Sequence, residues 1–210
     1  MDDSSTGCAA PDAVVHGRDQ LSRRSRVIVD DGNDLDLVER ARAGDRAALT
    51  ALVVRYQRQV FSAAYWVVRR VDDANDIAQD VFLKVAERLD DFDPRFKFFS
   101  WIYRITVNES LNLLRRNSRE ETVDGELERL PADGHDPERL AGDAQLSAHI
   151  RTALMRMPAN DRTVIALRHF SECSYEEIGQ ILELDGKTVK SRLFEARQRL
   201  RASLAELGTI

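Results

Sequence analysis

Cysteine is nearly missing from this chain of 210 residues, which has only Cys8 and Cys173. Two thiols so far apart give neither a disulfide framework nor a metal-type spacing, and they suit a reducing cytoplasm. Histidine is scarce too, at scattered positions 16, 135, 149 and 169, so nothing in the sequence supports a histidine metal centre or a cofactor site. No apolar run approaches the ~20 residues that cross a bilayer. The opening stretch MDDSSTGCAAPDAVVHGRDQ has no basic segment leading into an apolar one, which argues against a secretory signal. Strand-like alternation is convincing nowhere, so the expected fold class is all-α.

What the chain does have is charge, on 32% of its residues, with a net of −5. An acidic total argues against a simple nucleic-acid binder, but the total hides a segregation. Acids crowd the stretch from Asp72 to Asp93 and again from Glu120 to Asp143, whereas Arg104–Arg119 and Lys187–Arg201 are rich in bases. Alternating blocks of this kind imply two kinds of partner, one of them polyanionic.

Residues 1–33 show no sustained period and read as a disordered extension. Helical periodicity then starts. Asp34 or Asp36 can cap a first helix that Gly44 stops, and Asp45 can cap a long apolar helix through Val71. A third helix over about 73–89 carries Ile77, Val81, Val85 and Leu89 on one stripe, and a fourth runs from about Ser100 to Ser118. These make a four-helix unit over 34–118. The acidic segment 119–143, with Pro131, Pro137 and three glycines, is too poor in apolar surface to fold alone and reads as a flexible linker. Helices resume over about 144–157 and 160–170, so the C-terminal unit spans 144–207. The expectation is two small helical domains.

The stretch SYEEIGQILELDGKTVKSRLFEARQRLR (174–201) is acidic in its first half and basic in its second. Ser174 and Glu177 form a capping box, Ile178, Ile181 and Leu182 give an inner side, and Gly179 leaves room for close approach. Asp185 can cap a second helix, on which Val189, Leu193, Ala196 and Leu200 share one face. The opposite face, at about 100° per residue, centres on Lys187, Ser191 and Gln198, flanked by Phe194 and Glu195. Lys190 and Arg197 border it on one edge, Thr188, Arg192 and Arg199 on the other. Donors for base edges flanked by cations for phosphates are what a helix in the major groove of DNA needs.

A second candidate site lies in FDPRFKFFSWIYRITVNESLNLLRR (92–116), where aromatics alternate with Arg95, Lys97 and Arg104. Rings beside cations can hold unstacked bases against a phosphate track. Phe92, Trp101 and Tyr103 are as well explained by a core role. The segment Lys97–Ser100 and Asn108 are expected to be exposed and functional.

With these modules in this order, the chain resembles the extracytoplasmic-function (ECF) sigma factors, bacterial RNA polymerase sigma subunits. DANDIAQDVFLKV (73–85), FFSWIYRITVNESLNLLRR (98–116) and LRHFSECSYEEIGQILELDGKTVKSRLFEARQRLR (167–201) carry the resemblance, which covers about 34–207. It implies that Asp76, Gln79, Asp80, Phe82 and Leu83 dock on the clamp helices of the largest subunit of core RNA polymerase. It further implies that Lys97, Phe98, Phe99, Ser100, Arg104, Asn108, Arg115 and Arg116 recognise and melt the minus-ten promoter element. Lys187, Thr188, Lys190, Ser191, Arg192, Phe194 and Arg197 would read the minus-thirty-five element. An anti-sigma factor is the implied controlling partner, and the location is cytoplasmic. The chain departs from the family pattern at Asn75-Asp76 and Asp80 in the clamp-binding motif, at Glu195, and in a turn without proline. Cys173 reads as a small buried hydrophobe.

Two other classes stay open. A stand-alone helix-turn-helix regulator usually dimerises on two half-sites, and no dimerisation domain is evident. A metal-dependent nuclease built on Asp72, Asp73, Asp76 and Asp80 would lack the accompanying His, Lys or glycine-rich phosphate loop, so an enzyme is not expected.

Overall fold

The computed structural model describes residues 31–120 and 141–206. Among them the long elements are all helical: α1 (Asp31–Arg42), α2 (Arg46–Val68), α3 (Val71–Glu87), α4 (Phe98–Glu120), α5 (Ala141–Arg156), α6 (Ala159–His169), α7 (Tyr175–Leu182) and α8 (Gly186–Glu206), with a single 3-10 turn at Leu89–Asp91. The expected extension lies outside the described residues up to position 30, and the expected linker does so over 121–140; helices occupy the edges of both.

Local signals place most of the boundaries. Gly44 ends the first hairpin in a left-handed conformation, φ 92°, which favours glycine. Asp45 caps α2 by accepting from the N–H groups of Ala47 (2.9 Å) and Ala48 (3.2 Å). One of the two residues expected to cap α1 does something else. Asp34 is buried inside that helix, where Arg55 and the Tyr56 hydroxyl donate to it from α2. α2 stops three residues earlier than expected, because Arg69 turns left-handed (φ 70°) and returns its N–H to the Tyr65 carbonyl.

α2 is the centre of the molecule. Its first half buries Ala48, Leu52, Tyr56 and Val60, a single stripe facing the helices around it. From Ala63 to Val68 every residue is buried. A helix apolar all round must be covered all round, and here α3 and α4 cover part of it while α6 covers the rest. The N-terminal helices are further tied by Arg42, which donates to the carbonyls of Leu89 (2.9 Å), Asp90 and Phe92.

The two expected domains share one continuous apolar core. It runs from Leu37 and Val38 through Trp66 and Ile102 to Leu154, Ile178 and Leu193. α6 packs on α2, and α7 packs on α4. Trp66 and Phe170 stack across the junction with ring centroids 4.3 Å apart and planes 10° from parallel.

Candidate nucleic-acid interface

The helix-turn-helix forms as the sequence implies. Glu177 N–H donates to the Ser174 hydroxyl at 3.1 Å, and Ser174 N–H donates to the Glu177 carboxylate at 2.7 Å, closing the capping box. Asp185 accepts from the N–H groups of Lys187 and Thr188, both at 2.9 Å, and from the Thr188 hydroxyl at 2.6 Å. Those bonds, the hydroxyl foremost, hold its carboxyl below the usual carboxylate range. The space left by Gly179 is taken by the turn itself: a Cβ there would lie 2.8 Å from the Leu184 carbonyl oxygen.

On α8 the inner stripe Val189, Leu193 and Ala196 is buried, which turns Lys187, Lys190, Ser191, Arg192, Phe194 and Arg197 outward. Phe194 is 63% exposed, an apolar ring among cations. Thr188 is half-buried, its hydroxyl engaged in the cap. Two cations of this helix have neighbours inside the chain. Arg197 lies 3.4 Å from the His169 ring, and Arg199 is paired to Asp161 of α6. Burial, and then Arg197 and Arg168, hold the His169 ring below its ordinary pKa.

The aromatic segment is arranged differently from the expectation. α4 begins at Phe98, so residues 98–100 are its first turn and not a loop. Phe98 is 2% exposed, and it packs with Phe92 (5.5 Å), Trp101 (5.6 Å) and Tyr56 (5.4 Å). Phe99 is also buried, 4.1 Å from the Tyr103 ring. Neither ring can stack on a base without leaving the core, because the helix turns this apolar pair inward. The expectation of exposure holds for Lys97 and Asn108, with Arg115 and Arg116 exposed and Arg104 half-buried. The exposed ring of the segment is Phe96. Ser100 is buried as well, its hydroxyl enclosed without a hydrogen-bond partner, and the residue borders an open groove.

That groove, of about 1340 Å³, runs between α4 and the α7–α8 pair. Phe96, Ser100, Trp101 and Arg104 line one wall, with Glu183, Lys187 and Lys190 on the other. An ion pair crosses it, Arg104 to Glu183 at 3.6 Å, and Lys97, just before α4, pairs with Glu177 of α7 at 3.2 Å. Burial opposes charge on Glu177, but the Ser174 N–H and hydroxyl and the Lys97 ammonium outweigh it and keep that carboxyl below its ordinary range. Elsewhere, Gln79, Phe82 and Leu83 of α3 line a second groove with Val53, Gln57 and Phe61 of α2. Leu83 is 62% exposed there, and the exposed Asp76 and Asp80 follow on the adjoining face of α3. Among the described residues, no three His, Cys, Asp or Glu side chains gather closely enough to hold a metal ion. Burial pushes the Cys173 thiol up to about 12, with Glu177 adding to the rise, which makes it a small apolar filler.

Sequence reasoning missed the junction between the halves. Arg162 on α6 is 2% exposed, and its guanidinium donates to the carbonyls of Trp66 and Val67 and, at 2.7 Å, of Met157. It caps the C-terminus of α2 from another part of the chain. Arg69 answers by donating to the Met155 carbonyl at 2.7 Å. The available signal was a helix, α6, with charged and apolar residues at every angle, so that some charge had to be buried.

The fold and these surfaces define a class: an all-helical, two-part transcription protein whose C-terminal part ends in a DNA-type helix-turn-helix. Residues 52–120 match the family model for sigma-70 region 2, and residues 148–200 match that for sigma-70 region 4. The chain belongs to the ECF sigma factor family. It is 31% identical over 179 residues to the ECF RNA polymerase sigma factor SigW of Bacillus subtilis, covering 81% of this chain and 96% of that protein. It is 35% identical over 176 residues to the ECF RNA polymerase sigma-E factor of Escherichia coli K12, covering 80% and 92% respectively. CnrH, solved in complex with the cytosolic domain of CnrY, superposes with a TM-score of 0.63 at 28% identity, covering 83% of this chain and 98% of that one. No helix among the described residues is long and apolar enough to cross a membrane.

Proposed function

We propose that this chain is an alternative sigma factor that joins core RNA polymerase in the cytoplasm and directs it to its promoters, as a polymerase subunit and not an enzyme in itself. The observation that carries the reading is the family assignment joined to the outward row of donors and cations on α8, opposite a fully buried stripe. Lys187, Lys190, Ser191, Arg192, Phe194 and Arg197 read the minus-thirty-five element in the major groove, with Thr188 shaping the start of the helix. Phe96, Lys97, Arg104, Asn108, Arg115 and Arg116 hold the minus-ten strand, with Ser100 buried behind them. Phe96 takes the stacking role that buried Phe98 and Phe99 cannot. The groove of α2 and α3, with Gln79, Phe82 and Leu83 beside Asp76 and Asp80, receives the clamp helices of the largest polymerase subunit. An anti-sigma factor is the expected regulator, in line with CnrH being held by a cytosolic domain of CnrY.

The test mixes the purified chain with sigma-free core polymerase on a sizing column. Co-elution is expected, and Leu83→Arg should abolish it while leaving the helical content intact. Lys190→Ala should leave co-elution unchanged and reduce initiation from a selected promoter. A chain that does not co-elute but binds duplex DNA tightly alone would instead be a stand-alone helix-turn-helix regulator.

A further inference from the structure

Between Lys187 and Arg201, α8 carries a single carboxylate, Glu195. At about 100° per residue it stands about 40° from Ser191, so it belongs to the middle of the outward face and not to its edge. It is exposed, with the buried stripe of Val189, Leu193 and Ala196 on the opposite side. Nothing inside the chain accounts for an acid at this place. Among the described residues, no hydrogen bond or ion pair engages its carboxylate. Arg199, one turn on, is paired to Asp161 of α6 and feels Glu195 only as a lesser charge. On a surface that merely gripped phosphates, Glu195 would cost affinity on every sequence, because it repels what Lys190, Arg192 and Arg197 attract. It lies about 6 Å past Ser191 along the helix axis, which is the rise of about two base pairs.

We propose that Glu195 is a specificity-determining residue of the minus-thirty-five site: its carboxylate accepts a hydrogen bond from the exocyclic amine of a cytosine in the major groove. The proposal rests on the sigma reading of α8. An ionised carboxylate can only accept. Guanine and thymine turn the acceptors N7, O6 and O4 into the major groove, and these repel it. The donors there are the N4 amine of cytosine and the N6 amine of adenine. Adenine sets its N7 acceptor beside the amine, whereas cytosine has only a C–H at that side, so cytosine is the better partner. Lys190, Arg192 and Arg197 supply the phosphate contacts that hold the acid at the base edge despite its charge. A sequence without the cytosine leaves a desolvated carboxylate against an acceptor, so Glu195 rejects wrong elements as well as selecting the right one.

In the test, core polymerase reconstituted with the full chain selects from duplex DNA randomised over the upstream element, and the bound pool is sequenced. The natural chain should enrich cytosine at one position of that element about tenfold over the other bases, the worth of one good base-edge pair. Glu195→Gln, whose amide matches adenine N6 and N7, should move the preference at that position alone to adenine. Glu195→Arg should move it to guanine. The residue is exposed, so neither variant disturbs the packing of α8. An unchanged base profile in both variants overturns the proposal. So does a gain in binding spread evenly over all sequences, which would make the carboxylate a repeller of phosphate and nothing more. Either result leaves the sigma reading standing, because the natural chain still selects an upstream element. If the natural chain with core polymerase enriches no upstream sequence, the sigma reading falls and this proposal falls with it.

Discussion

Replacing Arg162 with methionine removes a cation from the join between the halves while nearly preserving its volume. α2 ends at Val68, and the carbonyls of Trp66 and Val67 belong to the last turn, where no helical N–H can reach them. The Arg162 guanidinium satisfies both and also the Met157 carbonyl, and its charge suits the negative end of the helix dipole. Burial, and then the neighbouring Arg69, lower its pKa to about 10, so it is charged at neutral pH. Hydrogen bonds to a charged group contribute about 1.5–3 kcal/mol each, and buried carbonyls left unpaired cost about 1–3 kcal/mol. Relaxation and water entry recover part of this, which leaves a loss of about 4 kcal/mol. With a urea slope of about 2 kcal/mol per molar, the midpoint should fall by about 2 M. The assay is urea unfolding followed by both far-UV circular dichroism and tryptophan fluorescence. Trp66 reports on the junction, so its transition should move ahead of the loss of helix in the variant. A midpoint shift below about 0.5 M would mean that the guanidinium is solvated and that α6 does not dock on α2, refuting the reasoning.

Gly179→Ala gains about 1 kcal/mol of helix propensity but sets a Cβ 2.8 Å from a backbone oxygen, so a net loss of about 1–2 kcal/mol should appear as a lower melting temperature. Ser174→Ala breaks the capping box and should cost about 1 kcal/mol by the same measurement. Because the folded Glu177 carboxyl sits below its unfolded value of 4.5, its stabilising contribution is full above that pH and is lost as the pH falls through the folded value; Glu177→Gln should flatten the acid limb of a stability-against-pH curve below about pH 4.5. Cys173 should resist thiol reagents at neutral pH in the folded chain and react at once in urea, given a thiol pushed up to about 12 and a 1% exposed side chain.

The all-helical class, the caps at Asp45, Ser174 and Asp185, and the outward face of α8 were legible in the sequence. Each depends on residues within a turn or two of one another, where spacing along the chain is spacing in space. The fate of Phe98 and Phe99 was not legible, because an aromatic pair beside cations serves a core or a base equally well until the direction of the helix start is known. Asp34 misled for a similar reason: a cap and a buried ion-pair acceptor look alike until Arg55 and Tyr56 are brought beside it. Sequence by itself determined the helical elements, their order and the outward face of α8. Only the tertiary structure decided that Arg162 caps a helix nearly a hundred residues away, and that Glu177 and Glu183 meet Lys97 and Arg104. Those partners lie far apart along the chain, and nothing in local periodicity says which charged face will be turned toward which.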